Sequence, residues 1–232
     1  MSTEITSGAA PLSASPADAV LSPWWRRASL ITMAFGFAVL ALLTFKVYHE
    51  APPIPDKVLG PDGSVVFVAE DVRDGQQVFL KYGLMDNGSI WGHGALLGPD
   101  FSAEYLHTLA LAHATSLARQ RHASPLDRLT PGQRAAIEAE VRIELKRNRF
   151  DAQTGVLAVE PAFADWFRQQ PGVWSEYFSS PVRNGGLHAK TLSDATELRQ
   201  LSAFVAWTAW ASVTTRPGTT HSYTNKIGRA HV

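Results

Sequence analysis

The hydrophobic and polar positions divide the chain into one long apolar segment followed by several amphipathic stretches. Ala28–Phe45 is an uncharged run of 18 residues, which as a helix would be about 27 Å long, close to the hydrocarbon thickness of a bilayer. Trp24 and Trp25 lie at one end and Tyr48 at the other, as interfacial aromatic residues do. The pattern predicts a transmembrane helix over residues 24–48. A cleaved signal peptide would have a shorter apolar region and a small-x-small site.

A buried core helix is the other alternative, and the charges beside the segment argue against it. Arg26 and Arg27 directly precede the apolar run, so the positive-inside rule places the N-terminus in the cytoplasm and the rest of the chain outside. Lys46 weakens this asymmetry but can snorkel to the interface. Residues 1–23 are rich in Ser, Ala, Thr and Pro, and we expect them to form a disordered cytoplasmic tail.

The remainder of the chain predicts a mainly helical domain over residues 64–225. Residues 49–63 carry four prolines and predict a stiff, extended connector, and the β-branched run Val65–Val68 predicts one strand. Four helices are predicted: Asp71–Tyr82, from Asp100 or Ser102 to about Arg121, from the Thr130 capping box to about Arg149, and from Ser193 or Asp194 onward. The predicted fold class is therefore mainly α, with one N-terminal transmembrane helix.

Apolar stripes predict the buried faces of these helices. The stripe residues are Val72, Val78, Phe79 and Tyr82, then Leu106, Leu109, Ala110, His113 and Leu117, and finally Leu198, Leu201, Phe204, Val205 and Trp207. Ala203–Val213 is apolar but too short to span a bilayer, so we expect it to dock on the domain or on the membrane surface. Glu138 and Arg142 are placed to pair on the exposed face of their helix.

Aromatic residues also cluster late in the chain. Trp166, Trp174, Tyr177 and Phe178 form a group that Pro171-Gly172 is expected to interrupt. A nucleic-acid stacking platform would need a basic groove beside such a group, and the sequence offers none. The cluster is interpreted as core or interface.

Composition removes several classes of chemistry. The 21 basic residues balance the 21 acidic ones, so nothing indicates a nucleic-acid partner. The absence of cysteine excludes disulfides, cysteine-based zinc sites, a thiol nucleophile and covalently attached haem c. Methionine, the usual sixth ligand of such a haem, occurs only at three positions.

Histidines are the remaining candidate ligands. Glu104 and His107 share a helix face at i, i+3 spacing, but the second such pair of a di-iron bundle is absent. His113 lies on an apolar stripe and is interpreted as a hydrogen-bonded core residue, with a ligand role left open. His93 is expected to fix its loop by packing or hydrogen bonding. We predict no catalytic, cofactor-binding or metal-binding residue in this chain.

One stretch resembles a known scaffold. Gly75–Phe101, GQQVFLKYGLMDNGSIWGHGALLGPDF, is similar to the first helix and haem loop of a c-type cytochrome. The five positions of the C-x-x-C-H motif are occupied by Leu84, Met85, Asp86, Asn87 and Gly88, none of them a thiol or an imidazole. The framing residues are kept: Gly75, Val78 and Phe79 before, and Trp91-Gly92-His93-Gly94-Ala95 and Pro99-Asp100 after. The resemblance implies a cytochrome c-like helical domain lacking haem.

Further blocks extend this resemblance to a family. The loop, together with LRQLSAFVAWTAW and the following YTN, resembles the cytochrome c subunit of bacterial nitric oxide reductases. The haem-less form with SIWGHGA, PDFSAEYLH and GVWSEYFSSP resembles the N-terminal part of the quinol-dependent, single-chain enzyme of the haem-copper oxidase superfamily. The resemblance covers roughly Ser29–Asn225. Leu96 departs from the tyrosine expected in the family, which should perturb packing only.

The resemblance implies an activity for the full-length protein. Two NO would be reduced to N2O and water with electrons from quinol, at a high-spin haem b (haem b3) and a non-haem iron fed by a low-spin haem b. The ligands of these groups lie in a later catalytic membrane core, so none is assigned here. The partners implied are the lipid bilayer, that core and quinol, and the location implied is the bacterial inner membrane with the main domain periplasmic.

Three roles are open to this chain on its own. The resemblance implies a structural fragment without reductase activity. The alternative is a membrane-anchored periplasmic interaction module that binds a partner through its aromatic surface. An electron-transfer protein, the third class, would need a haem, and we expect none because the loop offers no thioether tether.

The end of the sequence departs from the family. After Asn225 the family continues with Asn-Trp-Pro-Pro, whereas this chain reads KIGRAHV. The segment Ile227–Val232 is the translation of ATCGGAAGAGCACACGTC, which resembles a common sequencing adapter. We therefore expect residues 226–232 to be an artefactual tail on a truncated gene.

Overall fold

The computed structural model describes residues 23–180 and 182–224. The chain divides into two units, Met1–Glu50 and Ala51–Val232. The predicted tail at residues 1–23, except for Pro23, and the predicted tail at residues 226–232 lie outside the described residues.

The described part of the first unit is a single helix, α1 (Pro23–His49), none of whose residues is buried. Its most apolar window of 18 residues has a mean hydropathy of 2.2. By length and composition α1 is able to cross a membrane. The exposure of its apolar side chains, such as Phe35 at 69% and Leu42 at 66%, distinguishes it from the core helix of a soluble protein.

The described part of the second unit is mainly helical, which confirms the predicted fold class. Its helices are α2 (Ala69–Lys81), α3 (Phe101–His122), α4 (Pro131–Lys146), α5 (Pro161–Ser179) and α6 (Ala195–Val213). Its strands are β1 (Lys57–Leu59), β2 (Val65–Val68), β3 (Ser89–Ile90), β4 (His93–Gly94), β5 (Phe150–Asp151) and β6 (Val156–Ala158).

Strand β1 lies inside the segment predicted as a connector. It pairs antiparallel with β2 and parallel with β6, in a sheet of order β2-β1-β6-β5. Val58 is fully buried there, and the indole N–H of Trp207 donates to the Pro53 carbonyl (2.9 Å). The second half of the 49–63 segment is thus part of the domain. A three-residue strand between prolines leaves too short a pattern for sequence reasoning to recognise.

Three helix starts are found at a residue proposed for them, whereas α2 begins at Ala69, two residues before the predicted Asp71. The carboxylate of Asp100 caps α3 by accepting from the Ala103 N–H (2.9 Å), and that of Asp194 caps α6. Thr130 and Gln133 form the predicted capping box at α4. A side-chain acceptor at the first turn satisfies an amide that has no intrahelical partner.

Helix α4 ends at Lys146, three residues before the predicted end. The chain leaves the helix there and enters β5, while the Arg149 guanidinium pairs with the carboxylates of Glu144 and Glu160. The predicted Glu138–Arg142 ion pair is not found among the described residues. Both side chains lie on the solvated side of α4, where long side chains gain little from pairing.

Helix α5 continues through Pro171, so the predicted interruption is wrong. Proline removes one backbone hydrogen bond from a helix interior. Phe163 and Phe167 before it and Trp174 and Phe178 after it are all buried, and burial of these four side chains outweighs that loss.

The core is built around the crossing of α2 and α6. Gly75 lies at the point of closest approach: a Cβ added there would lie 2.8 Å from the Cβ of Phe204 and closer still to the Gln200 carbonyl. Within Ala203–Val213, every residue except Trp207 is buried. This segment therefore docks within the domain, which is one of its two predicted positions.

Candidate functional site

The loop between α2 and α3 contains a tight hairpin. Strands β3 and β4 pair Ser89 with Gly94 and Ile90 with His93. The two turn residues, Trp91 and Gly92, have φ values of 54° and 74°, the positive pair that characterises a type I′ turn. Tryptophan rarely adopts such a φ, so tertiary contacts must hold it.

Those contacts reach α3 and α6. The backbone N–H of Trp91 donates to the Ser102 hydroxyl (3.0 Å), and its indole N–H donates to the Thr208 carbonyl (2.8 Å). Its ring also lies 5.9 Å, centroid to centroid, from that of Trp207. These contacts hold the tip of the hairpin against α3 and α6.

The Asp100 carboxylate links the hairpin to the first turn of α3. One carboxylate oxygen accepts from the Ser102 hydroxyl (2.6 Å) and the Ala103 N–H (2.9 Å). The other accepts from the Ser89 hydroxyl (2.8 Å) and the Gly92 N–H. Burial alone would raise the pKa of Asp100, but these hydrogen bonds together outweigh it and hold the pKa below its ordinary value.

Asn87 is a second centre of hydrogen bonding, and it is 2% exposed. Its side-chain N–H groups donate to the carbonyls of Asn184 (2.8 Å) and Gly185 (3.2 Å), and its side-chain oxygen accepts from the Tyr177 hydroxyl (3.0 Å). Its backbone carbonyl accepts from the Gly98 N–H (2.6 Å). One amide therefore joins the loop to α5 and to the segment that follows α5.

Gly88 lies against an aromatic cluster centred on Phe101. A Cβ added at Gly88 would lie 2.7 Å from the Phe101 ring and closer still to the Pro99 carbonyl. The Phe101 ring lies 5.4 Å from that of Trp174, 5.6 Å from that of Phe79 and 6.2 Å from that of Tyr177, centroid to centroid. No side chain larger than hydrogen fits at position 88 without movement of this cluster.

These residues do not fit a covalently bound haem c. The motif positions that would supply thioether links are occupied by Leu84, which is fully buried, and by Asn87, whose amide is fully engaged. The position that would supply the axial imidazole is Gly88, which is closed by Phe101 and Pro99. The motif positions of this domain are therefore closed to a covalently bound haem.

The candidate histidines lie on β4 and α3. His93 is exposed on β4, and Glu104 and His107 are exposed on α3. Among the described residues, no group of three or more His, Asp and Glu side chains is arranged to hold a metal ion. The i, i+3 spacing of Glu104 and His107 thus places two potential ligands on one face, without a third.

His113 is buried on α3, as its apolar stripe predicts. Burial lowers the pKa of its imidazole, an effect opposed by the nearby Glu144 and Glu140 carboxylates and reinforced by Arg149. No hydrogen bond joins the His113 ring to another described residue, so it differs from the hydrogen-bonded core histidine that the sequence predicts.

Sequence reasoning misses the role of Asn87 and its partners. It identifies Asn87 only as a replacement for a thiol. The signal available is the occurrence of two Asn-Gly pairs, at 87–88 and 184–185, in a chain otherwise organised by helices. Nothing in the sequence indicates that the two pairs meet, because their contact depends on how α5 returns to the loop.

The chain matches one family of known proteins. A family model described as the NorB cytochrome c-like domain of nitric oxide reductase matches residues 55–227. The chain belongs to this family. The match covers helices α2 to α6, the whole loop and β1, so the predicted relation to nitric oxide reductase is confirmed. No curated protein matches the chain.

One expectation drawn from the family resemblance is wrong. The side chain of Leu96, where the family was expected to have tyrosine, is 92% exposed, and that of Leu97 is 73% exposed. Position 96 of this cytochrome c-like domain therefore has little packing to perturb. The side chain at this position therefore affects the surface and not the packing.

Proposed function

We propose that this chain is the N-terminal part of a quinol-dependent nitric oxide reductase, and that its cytochrome c-like domain has a structural role. The family match over residues 55–227 carries the proposal. In the intact enzyme two NO are reduced to N2O and water at haem b3 and a non-haem iron, with electrons from quinol through a low-spin haem b. Those groups belong to a catalytic membrane core outside this chain.

The closed haem loop supports the quinol-dependent type. A cytochrome c subunit that accepts electrons from a soluble donor needs a haem in this loop. Here two of the motif positions are occupied by Asn87, whose side chain is hydrogen-bonded within the domain, and by Gly88, where there is no room for a larger side chain. The domain then serves to cover and order the outer face of the core, while electrons arrive within the membrane.

Helix α1 supports a membrane location. Its apolar length suits a bilayer, and Arg26 and Arg27 on its N-terminal side favour a cytoplasmic N-terminus and a periplasmic domain in the bacterial inner membrane. Fusing a reporter after Glu50 tests this orientation: alkaline phosphatase should be active there, and a cytoplasmic reporter should be inactive.

Haem content provides a direct test of the structural role. The full chain is produced in cells that mature c-type cytochromes, with a known c-type cytochrome as the positive control. We expect no covalently bound haem in the pyridine haemochrome spectrum of the purified chain. A stoichiometric haem signal would overturn the proposal of a haem-less domain.

The gene sequence beyond residue 225 tests whether a catalytic membrane core is encoded after this domain. Sequencing the locus past residue 225 should reveal a reading frame that encodes further membrane helices with histidine ligands. In that full-length enzyme, Asn87→Ala should lower the amount of assembled enzyme but leave the rate of NO consumption per haem b unchanged. A loss of rate per haem would contradict a purely structural role.

An interaction module is the second candidate, and the exposed side chains of Leu96 and Leu97 favour it. Adjacent exposed leucines on a loop are suited to a protein contact. In this role the chain would bind a periplasmic partner and have no enzymatic activity. A stop codon directly after Asn225 in the native gene would support this candidate over the first.

A further inference from the structure

A cleft of about 360 Å³ lies between α3 and α5, beside the last residues of the loop that precedes α3. Leu97 and Pro99 line one side of it, and Tyr105, Gln170 and Trp174 line the helical sides. Its volume is within the range of pockets that bind small molecules.

The cleft is unusual in its polar groups. The Tyr105 hydroxyl, the Gln170 side-chain nitrogen and the Trp174 indole nitrogen are all buried, and none has a hydrogen-bond partner among the described residues. The three residues are 0%, 1% and 2% exposed. Folded proteins rarely leave buried donors unpaired, because each has lost its water without gaining a partner. Three such donors at one cleft therefore indicate a missing partner.

The chemistry of these groups specifies that partner. The indole and amide nitrogens only donate, and burial raises the pKa of Tyr105, so its hydroxyl keeps its proton. All three groups are thus complementary to an acceptor oxygen.

The rim of the cleft selects against a charged ligand. The carboxylates of Glu104 and Glu176 line it, and the only cation among its lining residues, Arg183, is paired with Glu176 (3.1 Å). This leaves a negative balance that repels an anion such as a carboxylate. The side chains of Leu97 and Val173 add apolar surface beside the donors.

We propose that this cleft binds a small neutral molecule that presents a carbonyl oxygen to Tyr105, Gln170 and Trp174 and an apolar body to Leu97 and Val173. The side chains turn toward the oxygen on binding, which supplies the acceptor that they lack in the free domain. This inference does not depend on the proposed function, since it uses no residue of the haem-loop motif.

The test uses acetophenone as the probe, with ethylbenzene as its oxygen-free analogue and benzoate as its anionic one. The full chain in detergent micelles carries ¹⁵N-labelled tryptophan, and the Trp174 indole signal is assigned with Trp174→Phe. Acetophenone should shift that signal in a saturable way, at free concentrations corrected for partition into the micelle. Ethylbenzene should bind at least about tenfold more weakly, the loss expected from one missing hydrogen bond. Benzoate should also bind more weakly than acetophenone, because the Glu104 and Glu176 carboxylates at the rim repel its charge.

Variants sharpen the result. Gln170→Leu and the isosteric Tyr105→Phe should each weaken acetophenone about tenfold. Gln169→Leu, at the neighbouring exposed position of α5 outside the cleft, should leave the affinity unchanged. Near-UV circular dichroism confirms the fold of each variant, and Tyr105→Phe is decisive if Gln170→Leu does not fold.

Three outcomes would overturn the proposal. The first is an indole signal that does not respond to acetophenone. The second is equal affinity for ethylbenzene, which would mean apolar partition only. The third is an experimental structure in which ordered waters alone satisfy the three donors and acetophenone does not displace them.

Discussion

Residues 84–94 and residues 96–97 belong to the same loop, yet only the first part is held by buried groups. Asn87 and Asp100 between them make side-chain hydrogen bonds to α3, to α5 and to the hairpin. Leu96 and Leu97, directly after the hairpin, leave most of their surface in solvent. The part of the loop that would carry haem in a c-type cytochrome is built into the core here, while the adjacent part presents apolar side chains outward.

This difference shows which protein groups hold the loop at the positions of the haem motif. A haem fills space and supplies bonds to its loop, so its removal exposes cavities and unpaired polar groups. Here aromatic rings occupy the space beside Gly88 and an asparagine supplies the bonds. These side chains hold the loop in its shape.

The largest loss of stability is expected when Asn87, which holds residues 84–94 in place, is replaced. Asn87→Ala removes three side-chain hydrogen bonds and leaves the Tyr177 hydroxyl and the Asn184 carbonyl without partners, so we expect a loss of about 3 kcal/mol in the free energy of unfolding. Urea denaturation of the chain in detergent, followed by near-UV circular dichroism, measures it. Asn148→Ala also removes three side-chain hydrogen bonds, but from an asparagine that is only half-buried, so it should have a smaller effect.

The second-largest loss of stability is expected from a larger side chain at position 88. Gly88→Ala forces a methyl group against Phe101 and the Pro99 carbonyl, so we expect it to destabilise the domain by about 2 kcal/mol. Gly132→Ala is the matched control, because its Cβ meets nothing within 4 Å and helix propensity favours alanine. Equal effects of the two substitutions would show that position 88 is not sterically closed.

The two aspartate caps allow the loop contribution of Asp100 to be isolated. Asp194→Ala removes a helix cap alone, for which we expect a loss of about 1 kcal/mol. Asp100→Ala also releases Ser89 and Gly92 of the hairpin, so its loss should be greater by about 1 kcal/mol. The same urea titration compares both variants, and identical losses would mean that the hairpin contacts contribute nothing.

The stability of the domain at acid pH should depend on the charge of the Asp100 carboxylate. Its pKa is lowered in the folded domain, so the carboxylate stabilises the fold above its unfolded pKa, and that stability is lost as pH falls through the folded value. Asp100→Asn should therefore flatten the dependence of unfolding free energy on pH in the acid range. Melting temperatures recorded from pH 7 down to pH 3 provide the measurement, and unchanged acid slopes would contradict it.

Substitutions in the exposed part of the loop, residues 96–97, should change the stability of the domain least. Leu96→Ser and Leu97→Ser remove apolar surface that is largely in solvent, so we expect changes of less than about 0.5 kcal/mol in stability. If these leucines bind a partner, the double variant should lose that partner in a pull-down while melting at the same temperature. A marked fall in melting temperature would place them in the core instead.

Sequence reasoning succeeds where one local rule determines the structure. The apolar stripe of α3 predicts its buried residues, including His113, and the Thr130 capping box predicts where α4 begins. It fails where distant segments decide. Pro171 remains within a helix because buried aromatic residues on both sides hold it, and β1 exists because β6 pairs with it across the domain.

The candidate site divides in the same way. The loss of thiols and imidazole at positions 84–88 is visible in the sequence itself, as is the capping role of Asp100. The bonds from Asn87 to Tyr177 and Asn184 are not, because they span 90 and 97 positions of the chain. Periodicity and capping rules describe neighbours along the chain and contain no information about such pairs.

The crossing of α2 and α6 at Gly75 also has a consequence for the time at which this domain folds. Lys81 at the end of α2 pairs with Glu197 at the start of α6, 116 positions later. During synthesis, the apolar face of α2 must wait for α6, which at ordinary translation rates takes roughly 10 s. Contacts so distant along the chain slow folding in general. The nascent domain is thus a substrate for chaperones and proteases until its last helix emerges.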